Sequence, residues 1–147
     1  MFNVLATTPL TKLVQVGIRD FCEDEFKLIQ SNPGRVKTFF DADIYEHKAS
    51  GKTWAAFCEE ILQHLPQNVY ISFDIDGLDP RFCPNTGTPV PGGFSYREIH
   101  LAMEMIAESG LLCSLEVAEV NPILDDKNSS AVFAADVVAS TMGKHIL

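Results

Sequence analysis

Short apolar runs alternate with stretches of helical period along this chain, and that alternation limits its possible folds more than any other feature. "KLVQVGI" (Lys12 to Ile18), "RVKTFF" (Arg35 to Phe40), "NVYISF" (Asn68 to Phe73) and "LLCSLEVAEV" (Leu111 to Val120) are apolar, β-branched runs that read as strands. Between them, Glu23 to Gln30 reads as a helix stopped by "NPG" at Asn32 to Gly34. Thr53 reads as the N-cap of a helix from Trp54 to about His64. There Trp54, Phe57, Cys58, Ile61 and Leu65 fall on one face of a 3.6-residue period. Ser95 and Glu98 have capping-box spacing and open a helix with Ile99, Met103 and Ile106 on one stripe. A last helix, apolar almost all round, is expected over about Ser130 to Met142, with Gly143 as its C-cap. Strands and helices in this order, with strands nearly continuous in apolar residues, form a parallel sheet covered by helices. The fold class is therefore α/β, and ligands should bind at the carboxyl ends of the strands.

Composition narrows the partners. The chain has 147 residues, a length suited to one domain, and its 46% hydrophobic and 21% charged residues describe a folded protein. A formal charge of −9 argues against nucleic acid, which needs clustered Lys and Arg, and suits a small cation or metal ions. Cys22, Cys58, Cys83 and Cys113 are widely spaced and form no CxxC pair, so zinc-finger and redox motifs are absent. With no signal-peptide pattern, a cytoplasmic location is expected. No apolar run approaches the roughly 18 residues of a membrane span. The four histidines, His47, His64, His100 and His145, show no metal-ligand spacing. Trp54 on its helix stripe reads as core, and Cys83 is assigned no chemistry.

Asp74 and Asp76 stand one residue apart at the end of the third strand run. Read as strand residues i and i+2, they project to the same side. Two carboxylates that close repel each other, which raises one pKa unless a metal, a basic side chain or a shared proton compensates. The plain alternative is that they cap a turn, as Asp79-Pro80 does nearby. An EF-hand fails, because the twelfth position counted from Asp74 is Asn85 rather than a bidentate Glu. A strand leading into D-x-D-G also resembles the haloacid-dehalogenase-like phosphotransferases, with Asp74 as nucleophile and Asp76 as acid/base. Leu78 stands where that family usually has Thr or Val, and the motif lies mid-chain.

A longer stretch covers more of the chain. "SFDIDGLDPRFCPNTGTPVPGG", Ser72 to Gly93, resembles the signature of the arginase and agmatinase family, the manganese-dependent ureohydrolases. "EVNP" at Glu119 to Pro122 resembles the family's last active-site segment, in its arginase form, and "VGIRDF" at Val16 to Phe21 resembles an earlier strand. The resemblance implies a three-layer α/β/α fold with a mostly parallel sheet, of which residues 1–147 would be a single domain lacking its N-terminal half. It also implies a binuclear Mn²⁺ site that makes a nucleophile of water, with Asp74 and Asp76 as metal ligands. Hard carboxylate oxygens suit that ion. By the same resemblance, Glu119 would pair with the substrate guanidinium, Thr88 would lie near the guanidino group, and Glu25 would help hold the amino-acid end. Arginases often carry an Asp three positions before that Glu, where this chain has Cys22.

The implied reaction is hydrolysis of L-arginine to ornithine and urea, on a small cationic guanidino substrate, in a homo-oligomer (trimer or hexamer). The family's "GGDH"-like and "DAHxD"-like metal motifs do not occur in the chain. The expectation is a C-terminal portion of an arginase-type enzyme that is inactive alone. A second possibility is a non-catalytic partner of a full-length subunit, and the phosphotransferase reading is third.

Overall fold

The computed structural model describes residues 2–125 and 127–144. Helix α1 (Phe2–Thr7) leads into strand β1 (Leu13–Ile18), helix α2 (Glu23–Ser31), strand β2 (Val36–Phe40) and helix α3 (Asp41–Ala49). Helix α4 (Trp54–His64), strand β3 (Val69–Asp74) and a 3₁₀ turn (Ile75–Gly77) follow. Helix α5 (Tyr96–Glu108), strand β4 (Leu112–Ala118) and helix α6 (Ser129–Thr141) complete the order. The expected α/β alternation is present, and both strand pairs are parallel, β1 with β2 and β3 with β4. Among the described residues the two pairs form separate two-stranded sheets.

The helix starts follow the capping chemistry of the sequence. Thr53 Oγ1 accepts the Ala56 N–H at 3.2 Å, and α4 runs from Trp54 to His64 as its period requires. Ser95 N donates to Glu98 Oε2 at 2.9 Å while Glu98 N donates to Ser95 Oγ at 3.4 Å, closing the capping box of α5. Gly143 follows α6 with φ +86°, the left-handed turn that ends a helix. One apolar cluster joins Phe39 of β2, Phe57 and Ile61 of α4, Phe73 of β3, Ile99 and Met103 of α5, and Phe133 and Val137 of α6. Trp54 packs against it and donates its Nε1–H to the Glu98 carbonyl at 2.8 Å.

Three features differ from the sequence reading. Helix α3 was not expected: its only buried residue is Ile44, so it carries no apolar stripe to signal a helix. Helix α1 is equally unheralded. Strand β3 is buried on one side at Val69 and Phe73 but exposed at Tyr70, Ser72 and Asp74, so it alternates rather than being apolar throughout. The exposed side is polar and internally bonded, with Ser72 Oγ donating to Glu116 Oε1 of β4 at 2.7 Å.

Candidate active site at the carboxyl ends of the strands

Strand β3 stops at Asp74, where its own side chain takes over the backbone. Asp74 Oδ1 accepts the Asp76 N–H at 3.1 Å, and the chain turns through Ile75–Gly77 in a 3₁₀ conformation. This corrects the geometry expected of the pair. Asp76 is not the i+2 residue of a strand, and a turn, not strand alternation, gathers the two carboxylates. The cap reading and the paired-carboxylate reading are both realised, because one oxygen of Asp74 caps the turn that brings Asp76 back to it.

The two side chains interact. The Asp74 carboxyl is pushed up to about 6, first by partial removal from water. The Asp76 backbone N–H opposes that rise, and the Asp76 carboxylate, a hydrogen bond with it and the charge of Glu119 add to it. Asp76 Oδ2 accepts the Thr88 hydroxyl at 2.9 Å. Glu119 follows β4 with φ +62°, a left-handed conformation unusual for a residue with a side chain. A Cβ built on Gly87, the neighbour of Thr88, would lie 3.6 Å from Glu119 Oε2. Asp74, Asp76, Thr88 and Glu119 are thus drawn together at the carboxyl ends of β3 and β4, where a parallel sheet binds its ligands.

The loop that carries Thr88 is closed at its neck. Phe94 N donates to the Gly77 carbonyl at 3.1 Å, and Asp79 N donates to the Phe94 carbonyl at 2.9 Å. Gly93 makes this approach possible: with φ +94°, any Cβ there would sit 2.6 Å from the Gly77 oxygen. Inside the loop, Asn85 Nδ2 donates to Asp125 Oδ1 at 3.0 Å, and Asp125 also accepts the Ser129, Ser130 and Ala131 N–H groups at the start of α6. Cys83 is buried and its thiol donates to Ser130 Oγ at 3.1 Å.

Glu25 is engaged elsewhere. Its Oε2 accepts the Cys22 N–H at 2.9 Å at the start of α2, and that bond holds its carboxyl below the usual range. The structure records no contact from Glu25 to Asp74, Asp76 or Glu119. His47 Nε2 lies 3.2 Å from the Thr53 carbonyl, His64 packs on the Phe39 ring, and His100 is buried against Phe133; His145 lies outside the described residues. Two residues went unmarked in the sequence reading. Arg19, after β1, donates to the carbonyls of Asp76 and Val90, and Asp41, after β2, accepts the Gly93 N–H at 3.2 Å. A charged residue just beyond a parallel strand was the available signal for both.

The oxygens fit a hard divalent ion in kind. Asp74 and Asp76 each use one oxygen within the turn and loop, and the Asp76 charge acts on the Asp74 carboxyl, a repulsion that a cation would relieve. They do not complete a site in number. Among the described residues no group of three or more His, Cys, Asp or Glu converges to hold a metal.

Comparison with known proteins bears on the family and the fold. The arginase family profile matches residues 1–143. An arginase of Bacillus subtilis (strain 168) is 43% identical over 137 residues, covering 92% of this chain and 44% of that protein. The solved arginase of Bacillus caldovelox superposes with a TM-score of 0.83 at 34% identity, over 99% of this chain and 48% of that one. An Entamoeba histolytica arginase solved with L-ornithine gives a TM-score of 0.76 at 27% identity, over 89% of this chain and 43% of that one. The chain spans about half the length of the relatives it matches. With the D-x-D turn, the threonine loop and the strand-end glutamate inside a match of that extent, the phosphotransferase reading falls away, and the chain belongs to the arginase family of C–N hydrolases.

Proposed function

We propose that this chain carries part of the active site of a manganese-dependent ureohydrolase that converts L-arginine to ornithine and urea. The observation that supports it most is the convergence of Asp74, Asp76, Thr88 and Glu119 beside one loop. Asp74 and Asp76 would supply two carboxylates to the Mn²⁺ site, and the ligands this chain lacks would come from polypeptide beyond residues 1–147. When bound, manganese would lower the pKa of water and act as a Lewis acid toward the guanidino group.

The chain's own residues then have distinct tasks. Glu119 presents a carboxylate whose two oxygens match the N–H fork of a guanidinium, and its left-handed backbone turns it off the line of β4. Thr88 holds Asp76 Oδ2 and keeps that carboxylate from rotating away. Glu25 would reach the amino-acid end of the substrate only by giving up its bond to Cys22 N. Cys22 in place of a carboxylate weakens the grip on an α-amino group, so agmatine is the substrate to set against arginine.

The deciding experiment adds the first half of the Bacillus subtilis arginase in trans to the purified chain with Mn²⁺, and measures urea from arginine and from agmatine. Urea from arginine, absent with either polypeptide alone and lost on Asp74→Asn, is expected. Urea from agmatine alone would overturn the substrate, and Mn²⁺ binding unaffected by Asp74→Asn/Asp76→Asn would overturn the ligand assignment.

A further inference from the structure

Arg19 spends its guanidinium on backbone. Nη2 donates to the Asp76 carbonyl at 2.6 Å, to Val90 at 3.0 Å and to Leu78 at 3.4 Å, and Nε donates to Val90 at 3.2 Å. Each of these carbonyls belongs to the loop that carries the site, and Arg19 itself lies beyond β1, on the other sheet. Fixing the Asp76 carbonyl fixes the peptide plane from which the Asp76 side chain departs. Fixing Val90 acts on Thr88 through a stiff connection, because Pro89 and Pro91 flank Val90 and restrict the backbone on both sides. One side chain therefore holds the backbone near both partners of the Thr88–Asp76 hydrogen bond, the donor from two residues away and the acceptor through the carbonyl of its own residue.

We propose that Arg19 is a positioning residue for the metal-side carboxylates: it sets the register between Asp76 and Thr88, and with it the direction in which the D-x-D turn presents its oxygens. This rests on the assignment of Asp74 and Asp76 to the metal side. A planar fork with several donors suits the task, since it can serve carbonyls on two segments at once while an ammonium on a flexible stem cannot hold them in one plane. A purely structural role, fastening one sheet to the other, has its own agent in Asp41, whose carboxylate takes the Gly93 N–H and lies where a Cβ on Gly92 would meet it at 2.6 Å.

The test compares Arg19→Gln, Arg19→Lys and Asp41→Ala in the 147-residue chain, reading the Thr88 methyl and Asp76 carboxyl signals by NMR. Arg19→Gln is expected to displace both signals, Arg19→Lys to displace them part of the way, and Asp41→Ala to lower the melting temperature while leaving them in place. Adding Mn²⁺, the concentration that half-broadens the Asp74 and Asp76 signals should rise roughly tenfold in Arg19→Gln, the usual scale for losing a residue that orients a ligand. Unmoved Thr88 and Asp76 signals in Arg19→Gln, or equal displacement in Asp41→Ala, would overturn the proposal. If Arg19→Gln does not fold, Arg19→Lys decides by the same signals. Failure of Mn²⁺ to broaden Asp74 and Asp76 in the unsubstituted chain, even with the first half of the Bacillus subtilis arginase added, would overturn the metal assignment by itself, leaving the Thr88 signal to decide the role of Arg19.

Discussion

The Thr88 hydroxyl donates to Asp76 Oδ2 across 2.9 Å, joining the second aspartate of the D-x-D turn to a residue twelve positions further on. A hydroxyl bonded to a carboxylate contributes more than a neutral pair, on the order of 1.5–3 kcal/mol when shielded from water. Both groups here are partly or fully exposed, so folding gains little from it. Thr88→Val should therefore leave the unfolding free energy within about 0.5 kcal/mol of the parent while weakening Mn²⁺ binding several-fold. Thr88→Ser should restore it. Urea unfolding of the three chains, and calorimetric metal titration of each with the first half of the Bacillus subtilis arginase added, check the pair of outcomes.

Asp74 gives a pH dependence of definite sign. Its folded pKa of about 6 stands above the ordinary 3.8, so the folded chain holds this proton more tightly than the unfolded one. Its contribution to stability is fully present below the unfolded value and is lost as pH rises through about 6. Asp74→Asn should therefore stabilise the chain at pH 7 and lose that advantage near pH 4. Denaturant midpoints at the two pH values measure it, and a stabilisation independent of pH would refute the cause.

His100 pulls the other way. It is 2% exposed, its Nδ1 lies 2.8 Å from Ser140 Oγ, and its Nε2 has no hydrogen-bond partner among the described residues. Burial lowers its pKa despite the nearby charges of Asp136 and Glu104. A depressed histidine contributes stability that is present above its unfolded pKa and lost as pH falls below it. Phe133 stacks on the ring and Tyr96 packs on it at a tilt, so His100→Phe keeps an aromatic there. The variant should flatten the loss of stability between about pH 6.5 and 5, read by thermal melts across that range.

Glycines with the same sign of φ should respond differently to a methyl group. Gly93→Ala would push Cβ to 2.6 Å from the Gly77 oxygen and 2.9 Å from the Leu78 carbonyl carbon, both backbone atoms that cannot step aside. Gly110, with φ +71°, has no atom of the other described residues within 4 Å of the same position, its chain neighbours aside. Gly110→Ala should cost about 1 kcal/mol, the strain of a left-handed alanine. Gly93→Ala should cost at least about 3 kcal/mol and expose the loop at Gly77 to Phe94 to protease. Limited proteolysis with mass mapping separates the two.

Much of this molecule was legible in the sequence because its signals were local. Thr53 and the 3.6-residue stripe after it fixed α4 at Trp54–His64, and Ser95 with Glu98 marked the start of α5. Helix α3 was not legible, since a helix lying on the surface with only Ile44 buried has no pattern to show. The D-x-D pair was read correctly as two carboxylates close together, for an incorrect geometric reason. Asp74's side chain bonding Asp76 N competes with the strand, and that outcome depends on Gly77 and on the closed neck at Phe94, seventeen residues further on. The roles of Arg19 and Asp41 depend on contacts between segments tens of residues apart, which no local pattern encodes.

The left-handed backbone of Glu119 sets evolution and stability engineering against each other. A residue with a Cβ at φ +62° costs about 1 kcal/mol that glycine would not. A search for more stable variants should return Glu119→Gly among its first hits, and each one would have deleted the carboxylate that faces Gly87. Selection on folding alone would erase this residue. Its presence in an unfavourable conformation fits the role proposed for its carboxylate toward a guanidinium.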